Sequence, residues 1–87
     1  MINNIQYWAI LGDRATVDRP AGLVRRLEHH DGPDDEVLNR DMSWTFTPMI
    51  IESERGNAEE ELVEVSHEQA SRIVEYLREK YASERGS

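Results

Sequence analysis

Apolar and polar residues alternate along the first half of the chain in a pattern typical of β-strands. Residues 5–11 are rich in β-branched and aromatic side chains and stop at Gly12, which predicts a first strand. Trp8 and Ile10 lie on one face of this strand, and the residues around them make the other face apolar as well. A strand with two apolar faces is expected to be a central strand, or to belong to a sheet whose two faces are both covered by other elements.

Two further strands are predicted to form a hairpin. Residues 23–30 and residues 37–44 supply these strands, and residues 31–35 between them are dense in Asp, Gly and Pro. This composition is typical of turns, so we expect these five residues to form the hairpin loop. Residues 61–65 alternate cleanly and predict a fourth, half-buried strand.

The segment that begins at Thr47 has two interpretations. Thr47 as N-cap, Pro48 at the first helical position and Gly56 after the last turn describe a short helix. The β-branched pair Ile50 and Ile51 equally allows a strand. We favour the short helix.

The C-terminal part of the chain predicts a long amphipathic helix over residues 67–82. Ser66 as N-cap and Gln69 form a capping box, and Glu68 and Arg72 have the spacing of a favourable ion pair. One face carries apolar side chains at intervals of three and four residues: Ala70, Ile73, Val74, Leu77 and Tyr81. This face is expected to be buried.

Together these elements predict an α+β fold. We expect a small antiparallel sheet of three to four strands, covered by the long C-terminal helix, with a second short helix near residues 48–55. Residues 1–83 are expected to form a single domain, because a chain of 87 residues has room for one modest core. Residues 84–87 are expected to be a frayed tail.

The composition excludes several classes of protein. The chain has 18 acidic and 10 basic residues and a net charge of −8, which disfavours binding to nucleic acid and to anionic membranes. No apolar run approaches the roughly 20 residues of a membrane helix, and no signal peptide is recognisable, so a cytoplasmic location is expected. The absence of cysteine excludes disulfides, a thiol nucleophile and Cys-based zinc sites.

One window runs against the acidic trend. Residues 14–26 hold Arg14, Arg19, Arg25 and Arg26 against a single acidic residue. Such a cluster can contact phosphates or an acidic partner. The interpretation that we favour is that these arginines pair with the protein's own carboxylates.

His29, His30 and Asp31 form the densest cluster of metal-ligand types. Adjacent residues on a strand point to opposite faces, so His29 and His30 cannot both bind one metal ion from a regular strand. We favour a polar hairpin tip over a metal site, and these three residues remain weak candidates.

The sequence contains no recognisable catalytic motif. It has no nucleophile elbow, no phosphate-binding loop and no dinucleotide-binding motif. Its carboxylate pairs, such as Glu52 with Glu54, are typical of the solvated surface of an acidic protein. We therefore favour a protein that is not an enzyme, and no cofactor is expected.

Trp8 and Ile10 offer a candidate binding surface. The other face of the first strand already supplies apolar residues for a core beneath the C-terminal helix. If that helix covers only one side of the sheet, Trp8 and Ile10 are left exposed, and an exposed apolar patch normally marks a partner surface. The alternative is that residues 48–56 cover this face.

A resemblance extends over most of the chain. The residues that carry it are Tyr7 with Trp8, Arg14, residues 20–26, Trp44 with Thr47, residues 54–56, and residues 64–66 leading into the helix. In this pattern the chain resembles short hypothetical proteins that are common in actinobacterial genomes. The resemblance implies a bacterial, cytosolic origin, and it transfers no activity and no site residues.

The sequence favours a small acidic protein-interaction module of the adaptor, inhibitor or regulator type, which acts by binding. Its partner is expected to be another protein or a second copy of the chain. One alternative is a nucleic-acid-associated protein that uses Arg14, Arg19, Arg25 and Arg26, with Tyr7 or Trp8 stacking on bases. Others are an acidic mimic of nucleic acid and a metal-assisted hydrolase at His29, His30 and Asp31.

Overall fold

The computed structural model describes residues 2–12, 14–57 and 59–85, and in these ranges the chain forms five strands and two helices. In chain order they are β1 (Ile2–Leu11), β2 (Gly22–His29), β3 (Gly32–Leu38), β4 (Trp44–Phe46), α1 (Met49–Glu54), β5 (Glu61–Val65) and α2 (His67–Arg85). The α+β class is as predicted. No helix in the described ranges is long and apolar enough to cross a membrane.

The five strands form one antiparallel sheet in the order β4-β3-β2-β1-β5, with one strand more than the predicted maximum of four. Strand β1 lies between β2 and β5, and its Tyr7 pairs with Arg25 on one side and with Val65 on the other. The two open edges of the sheet are therefore β4 and β5.

The hairpin of β2 and β3 has a shorter loop than predicted. Strand β3 begins at Gly32, which pairs with His29, so that only His30 and Asp31 form the turn. Gly32 has a φ of 123°, a conformation that other residues rarely adopt. Pro33 lies inside β3, beyond the stretch that pairs with β4, and proline is tolerated at such an edge. The prediction of a five-residue loop was wrong because turn-forming composition continues into the strand.

The predicted third strand over residues 37–44 is divided into β3 and β4. Asn39 N donates to the Ser43 carbonyl at 2.8 Å, and the Ser43 amide donates to Asp41 Oδ1 at 3.0 Å. Met42 has a φ of 69° in the same turn. The side chains of Asn39 and Asp41 thus stabilise a turn where the apolar spacing had indicated one continuous strand.

The segment after Thr47 is helical, which confirms the favoured interpretation. The helix begins one residue later than predicted, with Pro48 at the N-cap, while Thr47 Oγ1 accepts a hydrogen bond from Met49 N at 3.2 Å. At the other end Gly56 has a φ of 76°, and the amides of Gly56 and Asn57 donate to carbonyls of the last turn at 3.1 and 2.8 Å. Gly56 therefore ends α1 as predicted.

Helix α2 confirms the predicted capping box and ion pair. Ser66 N donates to Gln69 Oε1 at 2.9 Å, and Gln69 N donates to Ser66 Oγ at 3.1 Å. Arg72 Nη1 donates to Glu68 Oε1 at 3.2 Å. The helix continues to Arg85, beyond the predicted end, and the last two residues of the predicted tail lie outside the described residues.

Both faces of the sheet are apolar, and a helix covers each of them. The core on the α2 side consists of Ala9, Leu23, Leu38, Val65, Ala70, Ile73, Leu77 and Tyr81. The smaller core on the α1 side consists of Ile10, Val24 and Ile50. The sheet is thus the middle of three layers, of which the α1 layer is only six residues long.

Replacing Gly56 by Ala is expected to lower the free energy of unfolding by about 1–2 kcal/mol, because a side chain disfavours the left-handed backbone conformation. No atom lies within 4 Å of the added Cβ, so the loss comes from the backbone alone. Urea unfolding measures it. Gly12→Ala is the matched control, because its Cβ contacts only Ala21 at an ordinary 3.8 Å. Equal losses in the two variants would contradict this explanation.

Burial raises the pKa of Tyr81 above 10.0, although the positive charge of Arg40 opposes the shift. The folded state therefore favours the neutral phenol. This contribution to stability is complete below the unfolded-state pKa and is lost as the pH rises through the folded-state pKa. We expect Tyr81→Phe to lose less stability than the wild type between about pH 9 and pH 11, measured by urea unfolding. An identical alkaline loss in both proteins would contradict the assignment.

Candidate functional site

On the α2 side of the sheet, Arg25 connects three strands. Its Nε and Nη2 both donate to Glu36 Oε1, at 2.9 and 2.7 Å. The same guanidinium lies 3.9 Å from the centroid of the Trp44 ring, a cation–π distance. Glu36 is the register partner of Arg25, so the antiparallel pairing of β2 with β3 places the two charges together. Arg25 is thereby engaged in holding β2, β3 and β4.

An aromatic cluster continues this arrangement toward the start of α2. The Tyr7 ring centroid lies 6.5 Å from that of Trp44 and 5.4 Å from that of His67, with the His67 ring edge-on at 89°. His67 Nε2 donates to the carbonyl oxygen of Ile5 at 2.6 Å. These contacts join the first turn of α2 to β1.

On the opposite face, Arg26 forms a network with two carboxylates. Its Nε and Nη2 donate to the two oxygens of Asp35, at 2.8 and 3.1 Å, and Nη1 and Nη2 donate to Glu54 at 3.3 and 3.2 Å. The Asp35 side chain is 3% exposed and that of Arg26 is 14% exposed. The hydrogen bonds to Asp35 and then to Glu54 raise the pKa of Arg26, which keeps its charge. Glu54 belongs to α1, so this network fixes the end of α1 to the sheet.

The basic window therefore divides into two pairs. Arg25 and Arg26 bind carboxylates of the same chain, which is the favoured expectation for them. Arg14 and Arg19 are exposed in the loop between β1 and β2, and no carboxylate in the described ranges lies within ion-pair distance of them. Together with Lys80 of α2 they line a depression of about 350 Å³.

The candidate surface at Trp8 and Ile10 is covered by α1. Ile10 is 5% exposed and belongs to the buried cluster with Ile50, while Trp8 is half-buried against the same cluster. Of the two alternatives, cover by residues 48–56 is therefore the arrangement found. The face of β1 that carries Trp8 and Ile10 therefore packs against α1 of the same chain. A binding role for these two residues stays a prediction.

The metal-ligand candidates do not converge. His29 Nε2 lies 2.9 Å from Asp34 Oδ2, whereas the side chains of His30 and Asp31 are 91% and 93% exposed at the tip of the hairpin, 3.8 Å apart. Within the described ranges, no group of three His, Asp or Glu side chains is arranged to hold a metal ion. His30 and Asp31 thus form an exposed, polar hairpin tip.

Carboxylates gather at a second depression, of about 350 Å³, between α1 and β5. Glu52, Glu59 and Glu60 line it together with Met49 and Leu62. All three glutamates are exposed, and none of the described residues that line the depression is basic. This is the solvated acidic surface expected of the composition.

The edge strand β4 presents an apolar surface that the sequence analysis did not identify. Phe46 is 75% exposed on this strand, and Ile51 in the following helix α1 is 38% exposed. Both belong to residues 42–51, which contain no charged side chain. The uncharged stretch is a sequence signal that could have indicated this edge. The exposure of Phe46, however, depends on the position of β4 in the sheet.

Comparison of the chain with models of protein families, with curated proteins and with solved structures finds no match. The functional argument therefore rests on the geometry of these surfaces.

Asp35→Ala is expected to lower the free energy of unfolding by about 2–3 kcal/mol, because it leaves the charge of Arg26 partly buried without its main partner. The loss should stay below that of a fully buried pair because Glu54 still accepts from Arg26. Urea unfolding at neutral pH provides the measurement. Glu68→Ala, which breaks the exposed pair with Arg72, is the control and should cost about 0.5 kcal/mol or less. Equal costs would refute the structural role of Asp35.

Proposed function

We propose that this chain is a small protein-interaction module that acts by binding, and that its docking surface is the open edge of β4. The observation that carries the proposal is Phe46, a large apolar side chain that is 75% exposed on an edge strand. An unpaired strand edge offers backbone donors and acceptors to an added strand, and an exposed aromatic side chain provides an anchor.

The two edges of the sheet differ in their protection against added strands. Strand β5 carries Glu61 and Glu64, both exposed, and charged side chains on an edge are a common barrier to pairing. Strand β4 consists of Trp44, Thr45 and Phe46 and has no charge. Of the two edges, β4 is therefore the one that favours strand addition.

The occupant that we propose is a second copy of the chain. Copies with a net charge of −8 repel one another, and strand β4 itself adds no charge to a contact between two copies. A protein of 10.1 kDa also has a small core and gains from burying further apolar surface. Both considerations favour self-association through β4.

A two-fold axis at Thr45 describes the proposed pairing. Two antiparallel β4 strands centred there place Trp44 of each copy opposite Phe46 of the other, which makes two aromatic cross-strand pairs. Each such pair contributes about 0.2–1 kcal/mol. With only three residues in the strand, the dimer is expected to be weak.

The nucleic-acid alternative is less well supported by the arrangement of charge. Arg25 and Arg26 donate to Glu36 and Asp35, so binding of phosphates by these arginines requires the loss of existing ion pairs. Those pairs also join neighbouring strands, and their loss would weaken the sheet.

We expect the wild-type protein to change from monomer to dimer as its concentration rises between about 10 µM and 1 mM, in the range of small, weak interfaces. Phe46→Glu should remain monomeric throughout, because it removes both aromatic cross-strand pairs and adds one negative charge from each copy beside the two-fold axis. Sedimentation equilibrium measures both proteins, and far-UV circular dichroism confirms that the variant is folded.

Ser71→Glu is the matched control, since it adds the same charge at an exposed position on α2 and should dimerise like the wild type. A wild-type protein that is monomeric over the whole range would overturn self-association. Dimerisation that survives Phe46→Glu would overturn β4 as the docking surface.

A further inference from the structure

The basic side chains of this acidic protein are unevenly paired. Of the nine whose side chains are described, five form ion pairs with carboxylates: Arg25, Arg26, Arg40, Arg72 and Arg78. The four without a carboxylate partner in the described ranges are Arg14, Arg19, Arg55 and Lys80. Three of these four line the same depression. The chain has 18 acidic residues, so a cluster of three basic side chains without carboxylate partners in the described ranges creates a local positive electrostatic potential on an otherwise acidic protein.

The loop that carries the two arginines is held in place by several contacts. The Arg19 amide donates to the Thr16 carbonyl oxygen at 3.1 Å and to the Thr16 hydroxyl at 3.2 Å. The Thr16 amide donates to the Arg19 carbonyl oxygen at 3.3 Å. Pro20 is fully buried, and Val17 packs on the core beneath α2. These contacts fix the backbone that carries Arg19 beside the depression, which lowers the entropic cost of placing this residue there.

Helix α2 supplies the opposite wall. Tyr76 and Lys80 are one helical turn apart, both half-buried, and both line the depression. Asp18 is not among the described residues that line this depression; it lines a different depression beside Arg72. The depression thus has two guanidinium groups, one ammonium group and an aromatic ring, and no carboxylate among its described lining residues.

We infer that this depression is a binding site for a small phosphate-bearing anion. Guanidinium groups match the geometry of phosphate oxygens, and an ammonium group adds a compact positive charge. The volume of about 350 Å³ is at the lower end of small-molecule sites and suits a ligand of nucleotide size or smaller. A net charge of −8 repels a long polyanion more than a small one, so the site favours a single phosphorylated molecule over a nucleic-acid backbone.

The test is isothermal titration of the purified full chain with sodium pyrophosphate and, separately, with adenosine monophosphate, at low salt and at moderate salt. We expect saturable binding that weakens as salt rises. Arg14→Gln, Arg19→Gln and Lys80→Gln should each reduce the affinity about 3- to 10-fold, as expected for the loss of one exposed charge-assisted contact. Thermal unfolding of the unliganded variants checks that they are folded.

Arg55→Gln is the matched control, because Arg55 is exposed, has no carboxylate partner in the described ranges and lies outside the depression. It should bind both anions like the wild type. An absence of saturable binding, or an equal loss of affinity in Arg55→Gln, would overturn the site.

A duplex oligonucleotide that binds more tightly than either small anion would overturn the ligand class. Phe46→Glu should bind pyrophosphate like the wild type, so failure of this site and failure of the β4 interface give different results.

Discussion

The structure depends on the burial of both faces of its two central strands. In β1 the neighbours Ala9 and Ile10 are 0% and 5% exposed, and in β2 Leu23 and Val24 are both fully buried. Because successive side chains of a strand point in opposite directions, one covering layer cannot bury such neighbours. The chain must therefore supply apolar cover on two sides. Most of it comes from α2, which has 19 residues, and the remainder from α1, which has six.

A helix of six residues has little stability of its own and depends on its tertiary contacts. Three features compensate for the shortness of α1: the burial of Ile50, the glycine that ends the helix, and the hydrogen bonds from Arg26 to Glu54. The Arg26 network is therefore a structural device in this protein. Arg25 and Arg26 of the basic window thus serve the fold through their ion pairs, while Arg14 and Arg19 in the preceding loop are exposed.

The parts of the fold that local sequence determines could be predicted. The capping box at Ser66 and the apolar spacing of α2 act within a few residues, and so does Gly56 at the end of α1. The errors occur where tertiary position decides. Pro33 is typical of a turn but lies in the part of β3 that pairs with β2 alone, and the exposure of Phe46 depends on which strand ends the sheet. The depression could not be predicted because Lys80 meets Arg14 and Arg19 only through the packing of α2 beside the loop after β1.

The position of β1 between β2 and β5 has a consequence for synthesis of the chain. Tyr7 pairs with Arg25, which follows closely in the sequence, but its other neighbour is Val65, so one side of β1 stays open until β5 has left the ribosome. Ala9 and Leu23 pack against α2, which is synthesised after β5, so their side chains stay uncovered for longer still. During that interval the nascent chain exposes an apolar sheet face and an unpaired strand. The sheet is therefore complete only after β5 has paired with β1, and its larger core is covered only after α2 has followed.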